Sequence, residues 1–158
     1  MSHNLKIALI EPEIPGNTGS IARTCVATDT YLYVVGPMPF EITDSKVKRA
    51  GLDYWPHLNW KYLDNYEQFT KETSESRYVL TTAKREDSIL YHEFEFQPGD
   101  IILFGKETMG LSKELVKSGE HPVISLPMWG KTRSLNLANA CTTVLYEAYR
   151  QLGFPEED

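Results

Sequence analysis

Three segments of this 158-residue chain concentrate side chains able to bind an anion, a sugar or a folded small ligand. The first reads Glu11-Pro12-Glu13-Ile14-Pro15-Gly16-Asn17-Thr18-Gly19-Ser20, with Arg23 following. Asn17 or Thr18 is placed to cap a helix, and a helix N-terminus behind a glycine-bearing loop suits a phosphate. Arg23, one turn inside that helix, joins Asn17 and Ser20 as donors for a polyanion or a sugar edge. A capped helix with an arginine in a surface ion pair accounts for the same residues more plainly.

The second segment is Phe104-Gly105-Lys106-Glu107-Thr108-Met109-Gly110-Leu111-Ser112. Two glycines around a single carboxylate describe a backbone shaped to approach a ligand, although a strand end, a turn and a helix capped by Ser112 would read alike. The third is Leu126-Pro127-Met128-Trp129-Gly130-Lys131-Thr132-Arg133-Ser134-Leu135-Asn136. Its Gly-Lys-Thr is not a phosphate loop: the pattern needs a glycine where Ser125 stands, and Pro127 stiffens the approach. Arg133, Ser134 and Asn136 crowd the start of the longest helix; Ser134 could cap it while Asn136 faces solvent.

Lys46, Lys48 and Arg49 form a basic helical patch before Gly51-Leu52-Asp53-Tyr54-Trp55, and Lys84 and Arg85 could extend it. Cations beside aromatics suit single-stranded RNA, through phosphate contacts and base stacking. A solvated helix face against a core tryptophan is the competing account. His3, His57, His92 and His121 share no useful spacing, and neither a Ser-His-Asp arrangement nor a dinucleotide fingerprint is legible. Cys25 and Cys141 lie far apart with no metal-ligand spacing, so they read as reduced, buried thiols, with zinc and disulfides poor expectations.

Positioning these loops requires alternating elements. Apolar runs rich in β-formers fall at 5–10, 31–36, 77–82, 100–105 and 122–126. Helical spacing occupies 17–28, 44–50, 64–72, 112–117 and 137–152, the last ending at Gly153 with Pro155 beyond it. Gln97-Pro98-Gly99-Asp100 has the order of a type II turn. The expectation is one α/β domain over residues 1–158, a mostly parallel sheet with helices on both faces and ligands gathered at the carboxyl ends of its strands. With 41% apolar and 24% charged residues the chain is of ordinary globular composition. The charge of −6 argues against non-specific coating of nucleic acid but leaves room for a local basic patch. No apolar run is long enough to span a bilayer and no signal peptide opens the chain, so a cytoplasmic location is expected.

Taken in order, the three loops resemble the three motifs of the SPOUT methyltransferases, the knotted RNA-modifying family, over nearly the whole chain. Glu11-Pro12-Glu13-Ile14-Pro15, Gly51-Leu52-Asp53-Tyr54 and the ending Tyr146-Glu147-Ala148-Tyr149-Arg150-Gln151-Leu152-Gly153 are most similar to the minimal TrmL-type members, which 2′-O-methylate the wobble nucleotide of tRNA. The resemblance implies a C-terminal trefoil knot and a homodimer packed through its first and last helices. It implies S-adenosylmethionine held against Leu80, Gly105, Leu126 and Ser134, with no metal. It implies a tRNA anticodon stem-loop as partner, and Arg23 of one chain near the cofactor of the other. The family assigns deprotonation of the ribose hydroxyl to the arginine matching Arg23. A guanidinium stays charged, so stabilising the forming alkoxide while phosphate or water takes the proton is the easier role. Asn17, Glu107, Ser134 and Asn136 then orient the sugar and the loops. Trp129-Gly130-Lys131-Thr132 departs from the family pattern and bears on nucleotide preference. Methylation of another tRNA or ribosomal RNA nucleotide, catalytically silent RNA binding on the same fold, and an unknotted nucleotide-binding regulator are the alternatives.

Overall fold

The computed structural model describes residues 3–42, 45, 47, 49 and 54–157. Seven strands pair in one sheet: β1 (Lys6–Ile10), β2 (Tyr31–Val35), β3 (Trp60–Leu63), β4 (Tyr78–Thr81), β5 (Ile89–Leu90), β6 (Ile101–Phe104) and β7 (Val123–Ser125). Their order is β3-β2-β1-β6-β4-β7-β5, and every pairing is parallel. Among the described residues four α-helices have defined bounds, α1 (Pro15–Ala27), α2 (Tyr66–Glu72), α3 (Lys113–Lys117) and α4 (Leu137–Leu152), and a 3-10 turn spans Trp55–His57.

The strands are apolar on both sides because both sides are covered. On one face Ile7, Leu9, Val34, Ile102 and Ile124 pack with Ile21 and Cys25 of α1 and with Cys141, Val144, Leu145 and Ala148 of α4. On the other, Ala8, Ile10, Val35, Leu80 and Leu103 pack with Phe69 of α2 and with the half-buried Leu115 and Val116 of α3. Each fully buried aliphatic or aromatic side chain contributes about 1.5–3 kcal/mol, which makes these two layers the main stabilising term.

Sequence order reverses direction beside β1: the chain moves outward to β2 and β3, then returns to build β6, β4, β7 and β5 on the other side. The carboxyl ends of β1 and β6 therefore lie side by side at a topological switch point, where α/β sheets form their ligand crevices.

Two short strands, β3 and β5, lie outside the expected runs. Trp60–Leu63 exposes its two central residues, Lys61 and Tyr62, and buries only Leu63, and Ile89–Leu90 is only two residues long. The expected turn before β6 is present: Gly99 takes φ +86° and the Asp100 N–H donates to the Gln97 carbonyl at 3.2 Å. In the expected helix 44–50, Ser45, Val47 and Arg49 are helical; Lys46 and Lys48 lie outside the described residues. Both cysteines are buried and unpaired, as expected.

The capping expectation for α1 is corrected. Its N-cap is Ile14 with Pro15 in the first turn, so Asn17 and Thr18 are already helical and both are buried. Proline suits the first helical position because its missing N–H has no intrahelical partner there. Ser134 does not cap α4 either. Asn136 does, its Oδ1 accepting from the N–H groups of Ala138 at 2.9 Å and Asn139 at 3.3 Å. Ser112 caps α3 as expected, accepting from Leu115 N–H at 3.2 Å.

Candidate functional site

Three adjacent strands, β6, β4 and β7, end around a cavity of about 540 Å³, within the range of small-molecule sites. Thr81 and Thr82 enter from the end of β4, Gly105 and Leu111 from the loop after β6, and Leu126 and Ser134 from the segment after β7. Leu137, Ala140 and Val144 of α4 supply an apolar wall. Of the four residues expected to hold a cofactor, Gly105, Leu126 and Ser134 line this space. Leu80 does not: it is fully buried in the sheet's opposite layer, and the two threonines after it reach the cavity instead. Along a strand successive side chains point to opposite faces, so Leu80 and Thr81 face opposite layers, and Thr82 follows just past the strand end.

The loop after β6 folds back on itself. Lys106 N–H donates to the Gly110 carbonyl at 3.3 Å, and Gly110 N–H returns a bond to the Lys106 carbonyl at 2.8 Å. Gly105 is buried beneath this turn, and a Cβ there would overlap the backbone of Gly110 and Leu111. Glycine at 105 is thus a requirement of the loop's own closure, which shapes the cavity wall.

This loop is tied to the one opening α1. Glu107 accepts from the N–H of Glu13 at 2.7 Å and of Ile14 at 3.2 Å. In return the Glu13 carboxylate accepts from Thr108 N–H at 3.0 Å and from its hydroxyl at 2.7 Å. These two Thr108 bonds hold the Glu13 carboxyl below its usual value. Lys106 adds a looser ion pair to Glu11 at 3.8 Å. Glu107, expected near the sugar, also lines the cavity but spends its carboxylate on this clasp. Glu13 and Thr108 had no assigned role in the sequence; a carboxylate in each of two loops that meet at a switch point was the available signal.

Asn17 and Asn136 meet elsewhere. The Asn136 Nδ2 donates to Asn17 Oδ1 at 3.1 Å, and both line a second recess between α1 and α4 with Ser20, Thr24, Asn139 and Thr142. Thr24 and Thr142 hydroxyls bond across the same helix pair at 3.1 Å. Arg23 lines neither space. It is exposed on α1, its guanidinium 4.7 Å from the Tyr54 ring centroid and donating to the Tyr54 hydroxyl at 3.2 Å. Lys84 lines the cavity mouth with Arg85 beside it, and Arg49 is exposed on its own helix.

The donor set fits S-adenosylmethionine. Leu126, Leu137 and Val144 offer an apolar slot. Among the described residues, no backbone N–H from Met128 to Leu135 is hydrogen-bonded within the chain, which leaves donors for the polar edges of a ligand. No group of three or more His, Cys, Asp or Glu side chains is placed to hold a metal among the described residues, and no helix is long and apolar enough to cross a membrane.

Residues 4–146 match the model of the SpoU rRNA Methylase family. A tRNA (cytidine(34)-2′-O)-methyltransferase of Methylovorus glucosotrophus is 42% identical over 94% of this chain and 96% of its own. The enzyme of that name from Aeromonas hydrophila is 40% identical over 95% and 96%. A solved structure described as "Structural insights into the 2-OH methylation of C/U34 on tRNA" superimposes with a TM-score of 0.87 at 41% identity, covering 94% of this chain and 95% of that one. The SpoU methyltransferase AviRb of Streptomyces viridochromogenes, in complex with the cofactor AdoMet, superimposes at 0.84 with 28% identity, covering 96% of this chain and 62% of its own.

Proposed function

The chain belongs to the SpoU rRNA methylase family, and from that premise we propose that it transfers the methyl group of S-adenosylmethionine to the ribose 2′-hydroxyl of nucleotide 34 in tRNA. The observation that carries the reading is the cavity at the ends of β4, β6 and β7, whose wall is clasped by Glu13 and Glu107 to the loop that starts α1.

When bound, S-adenosylmethionine supplies an electrophilic sulfonium methyl. The chain's task is alignment: Gly105, Leu126 and Ser134 fix the pocket's shape, and a positioned acceptor converts a bimolecular step into an effectively unimolecular one. Arg23 places a fixed positive charge where the 2′-oxygen gains negative charge, while its proton leaves to water or a neighbouring phosphate. Asn17 and Asn136, locked to each other, orient the sugar. Glu107 and Ser134 order the two loops that meet it.

Arg23 stands apart from the cavity of its own chain, which supports a homodimer in which α1 and α4 pack against a second copy and Arg23 reaches the partner's cavity. The recess of about 630 Å³ between these helices, with Ile14 exposed at its edge, is the face that a second copy would cover. Family membership implies the trefoil knot, with α4 passed through a loop. Lys84, Arg85 and Arg49 are the described cations for an anticodon stem-loop, and a tRNA substrate supports a cytoplasmic location.

The test is transfer of labelled methyl to tRNA followed by nucleoside mass spectrometry. A 2′-O-methyl mark at position 34, abolished by a 2′-deoxy nucleotide there, is expected. Methylation at another position, or of ribosomal RNA alone, would overturn the assignment.

A further inference from the structure

The segment after β7 carries an exposure that the proposed chemistry does not use. Trp129 is 91% exposed, the most exposed large apolar side chain among the described residues. It follows Met128, which lines the cavity, and the 80%-exposed Met109 and 43%-exposed Leu135 belong to the same lining. A tryptophan left in water beside a ligand cavity forgoes the burial that such a large apolar side chain favours, so a bound partner is the natural place to recover it.

The charges beside it identify the partner. Lys131 and Arg133 follow the tryptophan within four residues, Lys84 lines the same cavity, and Arg85 adjoins Lys84 in sequence. Among the described residues none of these four cations is in an ion pair, in a chain whose net charge is −6. S-adenosylmethionine carries a net positive charge through its sulfonium and ammonium groups, so a cationic strap is poorly suited to act as its lid. A polyanion whose flat bases are unpaired answers both features: phosphates meet the cations and a base meets the indole.

We propose that Trp129 is a stacking platform for an unpaired RNA base within one nucleotide of the acceptor ribose, with Lys131 and Arg133 holding the adjoining phosphates. The proposal rests on the tRNA methyltransferase reading and adds the residue that seats the acceptor. Stacking tolerates any base because every base has a π-face, so this platform selects an unpaired loop rather than a particular letter.

The experiment compares wild type, Trp129→Ala and Trp129→Phe on an anticodon stem-loop, with RNA binding measured separately from methyl transfer. Trp129→Ala is expected to weaken RNA binding about tenfold, within what one stacked base is worth. Trp129→Phe should keep most of the affinity, and the affinity of all three proteins for S-adenosylmethionine should match. Stem-loops made abasic at position 34 or at either neighbour locate the partner base: one should bind wild type about tenfold more weakly and bind Trp129→Ala no worse than the intact RNA. Unchanged RNA affinity in Trp129→Ala, or equal abasic losses with and without the indole, would overturn the platform. Loss of cofactor affinity in Trp129→Ala would overturn it in favour of a lid. Wild type that binds the stem-loop through Trp129 yet methylates no tRNA would sink the functional reading and leave the platform standing.

Discussion

The side-chain amide of Asn136 donates to Asn17 Oδ1 at 3.1 Å, joining residues 119 positions apart, while the other end of the same amide caps α4. One side chain thus sets where the last helix begins and ties it to the first. The loop after β7 and the loop after β1 are held in register at this point.

Replacing Asn136 with alanine removes the cap and the tie together. The expected loss is about 1–2 kcal/mol in urea unfolding, chiefly the cap. Asn136→Asp retains a capping oxygen and should recover most of it at neutral pH. Equal losses in both variants would show that the cap is not the source.

At Gly105 the constraint is steric. Even alanine would force the backbone of Gly110 and Leu111 aside, so Gly105→Ala should lower the melting temperature and weaken S-adenosylmethionine binding at least tenfold by calorimetry. Wild-type affinity in this variant would remove the loop from the cofactor site.

Arg23→Ala should abolish methyl transfer and leave S-adenosylmethionine affinity nearly intact. The residue is exposed, and among the described residues its hydrogen bond and ring contact are both to Tyr54, so the melting temperature should move little. Arg23→Lys keeps the charge but not the planar fork and should recover little activity. Parallel loss of cofactor binding and turnover would make Arg23 a structural residue.

The Glu13 carboxyl is held below its usual 4.5 by the two bonds from Thr108, and Glu147 is pulled down likewise by Arg150. A depressed carboxyl contributes stability that is complete above its unfolded value and is lost as pH falls through the folded one. Stability should therefore decline below about pH 4.5, and Glu13→Gln should flatten that decline in urea titrations across pH 2–6. Superimposable curves for variant and wild type would exclude the clasp as a source of acid sensitivity.

Burial pushes the Cys25 thiol up to about 12 and Cys141 well above its ordinary value. Neither forms the reactive thiolate near neutrality. Ellman's reagent should count no thiols in the native protein and two after denaturation; rapid native labelling would contradict this burial.

The five long apolar runs announced five strands because strands buried on both faces need no alternation to be recognised. β3 and β5 escaped notice for the opposite reason. One is a half-exposed edge strand and the other two residues long, so pairing to β2 and β7 defines them rather than composition. The long stripe of α4 was equally plain, since Cys141, Val144, Leu145 and Ala148 recur at helical spacing.

Sequence by itself determined the parallel α/β class, the three loops after strands and the residue types they carry, because periodicity and loop chemistry are local. Tertiary structure alone decided the partnerships. It turned the Leu80 side chain into the opposite layer and brought Thr81 and Thr82 to the cavity, gave the α4 cap to Asn136, and turned Glu107 with Glu13 into a clasp. It also left Arg23 beside Tyr54, away from the cavity. Each depends on which strand ends become neighbours in the sheet, and the order β1-β6-β4-β7 joins segments far apart in the chain that no local pattern could pair.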